Sequence, residues 1–180
     1  MIRHQINSLL FKFYTGPFIN QIYHIVFFMV YGNMHLQKPL LWAGANIISG
    51  AIPATIVDVN DQWYKDLEKP AWNPPQIAFP IIWTVLNGLI GISASLVVPY
   101  SIGAFLTFSV NRILAISWSP VFFNLKNIKL ANTIAKLLII SALSMICTFN
   151  NRFSVILLIP YLLWLIFAQA LNSSIVYLNK

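Results

Sequence analysis

Residues 63–75 read WYKDLEKPAWNPP, a polar, aromatic, proline-punctuated stretch between two long apolar runs. Pro70 forces Lys69 into extended geometry, and the Pro74-Pro75 pair does the same for Asn73. The stretch is therefore expected to be a stiff, non-helical lid, with Trp63, Tyr64 and Trp72 at the headgroup layer that suits amphipathic rings. Asn73 and Pro74 also read as the N-cap and first helical residue of the second apolar run. Upstream lies LLWAGANIISGAIPATIV (residues 40–57), and downstream IAFPIIWTVLNGLIGISASLVV (residues 77–98). Both are long enough to cross a hydrocarbon core of ~30 Å.

Charge sharpens the contrast. The 180 residues are 58% hydrophobic and only 8% charged, with a mean hydropathy of +0.74. Asp58, Asp61, Asp66 and Glu68 are all of the chain's acids, and they fall in or beside the lid. A hydrated globular surface cannot be assembled from the remainder, which excludes an ordinary soluble enzyme and a disordered chain. The net charge of +7 is not gathered on any one face, so nucleic acid is not an expected partner. A modest positive excess suits loops that meet anionic lipid.

Further apolar runs span about residues 102–123, 130–149 and 153–178, separated by short polar turns. The expectation is an all-α membrane protein, a five-transmembrane-helix bundle with spans at about 40–57, 77–98, 102–123, 130–149 and 153–178. No period-two alternation favours a β-barrel. Residues 39–180 read as one domain. Residues 1–38 read as an N-terminal extension, either interfacial or an artefact of an upstream start, with residues 1–33 lying ahead of a true start at Met34. Lysine and arginine in the loops lean towards a cytoplasmic C-terminus.

The lid, continuing into Phe79-Pro80 and Trp83, closely resembles the signature of the TspO/MBR family, the tryptophan-rich sensory and translocator proteins. Trp118-Ser119-Pro120-Val121-Phe122-Phe123 resembles that family's third-helix element. Pro160-Tyr161-Leu162-Leu163-Trp164, with Phe167-Ala168 and Leu171-Asn172, resembles its fifth-helix element. The resemblance covers about residues 40–180 and implies a five-helix bundle, a homodimer, and a tetrapyrrole (porphyrin) ligand held between the helices beneath the lid. It implies Trp83, Trp118 and Trp164 as pocket walls, with Phe79, Asn87, Ala168 and Leu171 beside them. Trp63, Tyr64, Lys69, Pro70, Trp72, Pro74 and Pro75 would form the lid. Flat macrocycles stack on aromatic faces, so the residue types agree. Trp42 lies outside the matched elements and reads as an interfacial anchor. The family usually has Tyr where this chain has Asn87, Asn where it has Ala115, and often an acid where it has Ile134.

The expected role is sensing, transport or clearance of the tetrapyrrole, with no obligatory cofactor and no metal. Membrane lipid is a further partner, sterol a lesser one, and a bacterial cell membrane is favoured over an organelle outer membrane. Two alternatives remain: a porphyrin-degrading enzyme using the pocket tryptophans, and a sterol- or lipid-binding scaffold. The bundle offers no general acid or base to recommend an enzyme. His4, His24 and His35 all precede the first span, leaving only Met145 and Cys147 as soft haem ligands. The acids have no useful metal spacing, and minor salt bridges to Lys65 and Lys69 are their expected contacts. Arg112 lies within the third span with no acid in any span. Its partner is then a backbone carbonyl, a headgroup or a ligand carboxylate, and snorkelling to the nearer end is the expected solution, as for Lys136. Leu171, Tyr177 and Lys180 fit only a loose sterol pattern. Gly88, Gly91, Ala94 and Ser95 permit either a dimer face or an intrachain seam.

Overall fold

A computed structural model describes residues 33–180, with side chains from Gln37 onward. The chain divides into Met1–Lys38 and Pro39–Lys180, and every contact below lies within the second unit. The expectations for the extension fall outside the described residues, except that α1 begins at Asn33.

Among the described residues six α-helices come in order: α1 Asn33–Ala51, α2 Gln62–Asp66, α3 Ala78–Ser95, α4 Ile102–Ser119, α5 Ile128–Thr148 and α6 Arg152–Leu178. No strand occurs among the described residues. Among the described residues four segments are long and apolar enough to cross a membrane: Ala78–Tyr100, Ile102–Asn124, Ile128–Thr148 and Arg152–Leu178. They match the expected spans to within a few residues. The first expected span differs: α1 runs from Asn33 to Ala51, and Gln37, Lys38 and Asn46 keep its hydropathy below that of the other four. It is a helix of the bundle and long enough to cross, but its hydropathy falls short of the other four.

Side chains and prolines set the ends. Pro53 lacks a backbone N–H, and α1 gives way to a 3₁₀ turn over Ile52–Thr55. The Ser101 hydroxyl accepts from Ala104 N at 3.3 Å to cap α4, and Asn127 Oδ1 accepts from Leu130 N at 3.0 Å to cap α5. Asn151 Oδ1 accepts from both Phe153 N and Ser154 N to cap α6. Pro120 converts the end of α4 into a π-helical turn over Pro120–Asn124, and Lys126 then takes φ 51° to reverse the chain. Asn73 does not cap α3. Its side chain donates to Pro74 O, and α3 begins only at Ala78. The reason is Pro75, which keeps Pro74 out of helical geometry just as Pro74 does Asn73.

The five long helices close a ring. α4 packs on α5, α5 on α6, and α6 on α3. α1 completes it. A Cβ on Gly91 of α3 would lie 2.5 Å from Trp42 O and 2.6 Å from Ala43 Cα, so only glycine permits this approach. On its other side, Trp42 meets Phe108 of α4 edge-on at 6.0 Å. Two expectations resolve here: the glycine-bearing face of α3 is an intrachain seam around Gly91, and Trp42 packs between helices instead of anchoring at the interface. α3 and α6 are pinned by Ser93 and Ser154, each hydroxyl donating to the other's carbonyl at 2.9 and 3.0 Å. Leu86, Ile90, Met145, Leu158, Tyr161 and Leu165 fill the ring, while Cys147 is exposed on its outside.

Candidate ligand site

The lid is not wholly irregular. Asp61 Oδ1 accepts from Trp63 N at 2.8 Å and starts the single helical turn α2, which is a correction to the non-helical expectation. Asp61 also pairs with Lys126 at 2.9 Å, so the acid bridges the lid to the α4–α5 loop and not to Lys65 or Lys69. That pairing, with the Trp63 amide second, holds the Asp61 carboxyl below its ordinary range. Lys69 turns inward over the Tyr64 ring, 4.4 Å from its centre, and donates to the carbonyls of Tyr64 and Leu67. Partial burial lowers the Lys69 ammonium and raises the Tyr64 phenol from their usual values. Midway along the lid, Asn179 Oδ1 accepts from Glu68 N at 3.0 Å and Asn179 Nδ2 donates to Glu68 O at 2.9 Å. The lid is thus clamped to α6 at one point and to the α4–α5 loop at another.

Beneath it the aromatics form two groups. Trp118 stacks on Phe122 at 5.0 Å, and Trp63 and Tyr64 of the lid meet Phe122 edge-on at 5.7 and 6.1 Å. Trp164 stacks on Phe167 at 5.1 Å, Trp72 of the lid meets Phe167 at 5.6 Å, and Phe79 meets Trp164 at 6.1 Å. Leu171 is buried in the cluster that includes Phe122, against which Phe79 and Trp118 pack. Ala168 lies half-buried on α6. Trp83 stands apart from both groups, edge-on to Tyr161 at 6.3 Å. Pro70 lines an open depression of about 360 Å³ with Ser173, Ser174, Tyr177 and Leu178, and none of the three expected pocket tryptophans lines it. Pro74 is half-buried and Pro75 exposed at the end of the lid.

Asn87 does not join the aromatic wall. Its Oδ1 accepts from Arg112 Nη1 at 2.9 Å, and its carbonyl accepts from Asn46 Nδ2 at 2.7 Å. Arg112 Nη2 donates to Asn111 Oδ1 at 2.6 Å and to Tyr161 OH at 3.3 Å. Tyr161 OH donates to Asn111 Oδ1 at 3.0 Å, and Asn111 Nδ2 donates to Ser141 Oγ at 2.8 Å. One polar hub therefore joins all five long helices at the middle of the bundle. It overturns the snorkelling expectation for Arg112, which sits ten residues into α4, about 15 Å from its start at ~1.5 Å per residue. That exceeds the reach of the side chain, so the charge turns inward. Lys136 is exposed on the outer face of α5. Asn46, Asn111, Ser141 and Tyr161 were not sequence candidates, though an Asn111-Arg112 pair at mid-span with no acid in reach was the available signal.

Some buried polar atoms lack partners among the described residues: the indole N–H groups of Trp118 and Trp164, Arg112 Nε, and Gln169 Oε1. Three of these four are donors. No group of three or more metal-binding side chains occurs among the described residues.

A ring of apolar helices around a polar hub, capped by a clamped aromatic lid, defines an all-α integral membrane protein with Trp63, Trp72, Trp118 and Trp164 gathered in and beneath the lid. The chain belongs to the TspO/MBR family, whose model matches residues 39–178. It is 32% identical over 163 residues to the tryptophan-rich protein TspO of Bacillus cereus, covering 86% of this chain and 95% of that one. It is 37% identical to the Archaeoglobus fulgidus TspO protein over 125 residues, 65% of this chain and 80% of that one. It is also 30% identical to the human translocator protein over 123 residues, 62% and 71% of the respective chains.

Proposed function

We propose that this membrane protein binds a tetrapyrrole beneath its lid and acts in sensing, transport or clearance of that ligand. A bacterial cell membrane is the proposed setting, in keeping with the Bacillus relative. The observation that carries the reading is the pair of buried indole N–H donors on Trp118 and Trp164, each ring stacked on a neighbouring Phe and each without an acceptor. An unmade hydrogen bond in a buried site costs about 1–3 kcal/mol. An acceptor-bearing aromatic ligand inserted between these rings and the lid relieves that cost and gains stacking area. Trp83, Trp118 and Trp164 form the proposed wall, with Phe79, Ala168 and Leu171. Trp63 and Tyr64 of the lid meet Phe122, on which Trp118 stacks, and Trp72 meets Phe167, on which Trp164 stacks. Opening requires the Asp61–Lys126 and Glu68–Asn179 ties to part.

The test is a side-by-side equilibrium screen of the purified protein with free-base porphyrin, haem and a sterol. Saturable porphyrin binding that is tighter than sterol binding supports the reading. Saturable sterol binding with no porphyrin binding would sink it.

A further inference from the structure

We infer that Arg112 is a carboxylate-binding residue, and that the bundle takes an apolar-bodied ligand whose acidic group is seated on this guanidinium. The inference rests on the macrocycle reading for the ligand's body and stands on separate observations for its acid.

The first observation is charge balance. A half-buried guanidinium in the middle of a membrane-spanning bundle is costly unless paired. All four acids of the chain lie between positions 58 and 68, and Asp61 among them is committed to Lys126. No acid lies in α3, α4, α5 or α6. The partners of Arg112 are Asn87, Asn111 and Tyr161, all neutral. These three bonds engage only Nη1 and Nη2, and Nε is buried with no acceptor. The hub therefore orients the charge and leaves it uncompensated.

The second is position. The Tyr161 ring lies 5.7 Å from the Arg112 guanidinium on one side and 6.3 Å from the Trp83 ring on the other. One side chain separates the charge from the aromatic wall. A ligand lying against Trp83 would bring a short acidic arm to the guanidinium, where an N–H···O⁻ bond is about twice as strong as a neutral one.

The third is fixity. Asn111 is fully buried and holds both Arg112 and Tyr161, and Ser141 holds Asn111 in turn. A guanidinium gripped by a second layer of hydrogen bonds spends little ordering entropy when an anion arrives.

A carboxylate on an apolar body is borne by a free porphyrin acid or by a fatty acid, and the test separates these. The purified protein in a neutral detergent is titrated with protoporphyrin IX, with its dimethyl ester, and with palmitate as a competitor. Wild type is expected to bind the acid at least about tenfold tighter than the ester, the size of one charged hydrogen bond. Palmitate should displace it. Arg112→Gln should narrow the acid-to-ester ratio to near one, with Arg112→Lys between. Equal wild-type affinities for acid and ester overturn the inference, as does an acid-to-ester ratio that Arg112→Gln leaves unaltered. If neither porphyrin binds but palmitate does, in an Arg112-dependent manner, the carboxylate site stands and the macrocycle reading falls. Should Arg112→Gln not fold, the wild-type acid-to-ester ratio decides alone.

Discussion

Arg112 and Asn87 meet at 2.9 Å across the centre of the bundle, and the room Asn87 occupies exists because residue 50 is glycine. A Cβ at position 50 would lie 2.7 Å from Asn87 Cγ. Gly50→Ala is therefore expected to push the carboxamide off the guanidinium, as Asn87→Ala removes it. Each should cost about 1–3 kcal/mol, the range for stripping a partner from a buried charged donor. Because both act on one contact, the double variant should cost clearly less than the sum. Unfolding in detergent measures this, and strict additivity would contradict the coupling.

The α1–α3 seam separates two glycines that composition treats alike. Gly91→Ala must move backbone atoms of Trp42 and Ala43, whereas nothing lies within 4 Å of a Cβ at Gly44. The first change should lower stability by about 1–3 kcal/mol, as overpacking does. The second should be neutral or slightly stabilising, since alanine favours the helix. Equal melting temperatures for the two variants would refute the seam.

The lid should respond to acid through Asp61. Its folded-state carboxyl titrates lower than in the open or unfolded chain, chiefly through Lys126. The stabilisation is thus present above the ordinary aspartate value of ~3.9 and is lost as pH falls through the lower folded value. Trp63 emission, followed from neutral pH downward, should change with a midpoint below that ordinary value. Asp61→Asn should abolish the transition, and high salt should weaken it. A midpoint above ~4 would assign the transition to another carboxyl.

The middle of the lid hangs on one residue. Asn179→Ala removes both bonds to the Glu68 backbone, worth roughly 1 kcal/mol each. Trypsin should then cut after exposed Lys65 about tenfold faster, because local opening sets the rate. Unaltered cleavage would show that the Asp61–Lys126 pair alone holds the lid.

Four spans were legible because each is a long, mainly apolar run with boundary residues of one clear office: Ser101, Asn127 and Asn151 as N-caps, Pro120 as breaker. α1 was misjudged at both ends. Its polar first turns carry no hydropathy signal, and Pro53 ends it earlier than the apolar run does. The aromatic residues of the 63–75 stretch pack on Phe122 and Phe167, yet Asp61, whose side chain starts α2, lies just outside the stretch whose prolines suggested an extended path. Arg112 was the main misreading. A charged residue in an apolar span gives the same one-dimensional signal whether it reaches for headgroups or for a hub. The hub's members come from residues 46, 87, 111, 141 and 161, one on each long helix, and only the folded ring brings them together.

The account's central claim is that a tetrapyrrole rests against the tryptophans beneath the lid. It is tested most directly by titrating the wild-type protein and the Trp83→Ala/Trp164→Ala variant with protoporphyrin IX, following the porphyrin's own absorbance, with helicity checked by circular dichroism. Stacked aromatic contacts are worth about 0.5–1.5 kcal/mol each beyond their area. The folded double variant should accordingly bind at least about tenfold more weakly. A folded double variant with wild-type affinity would contradict the claim.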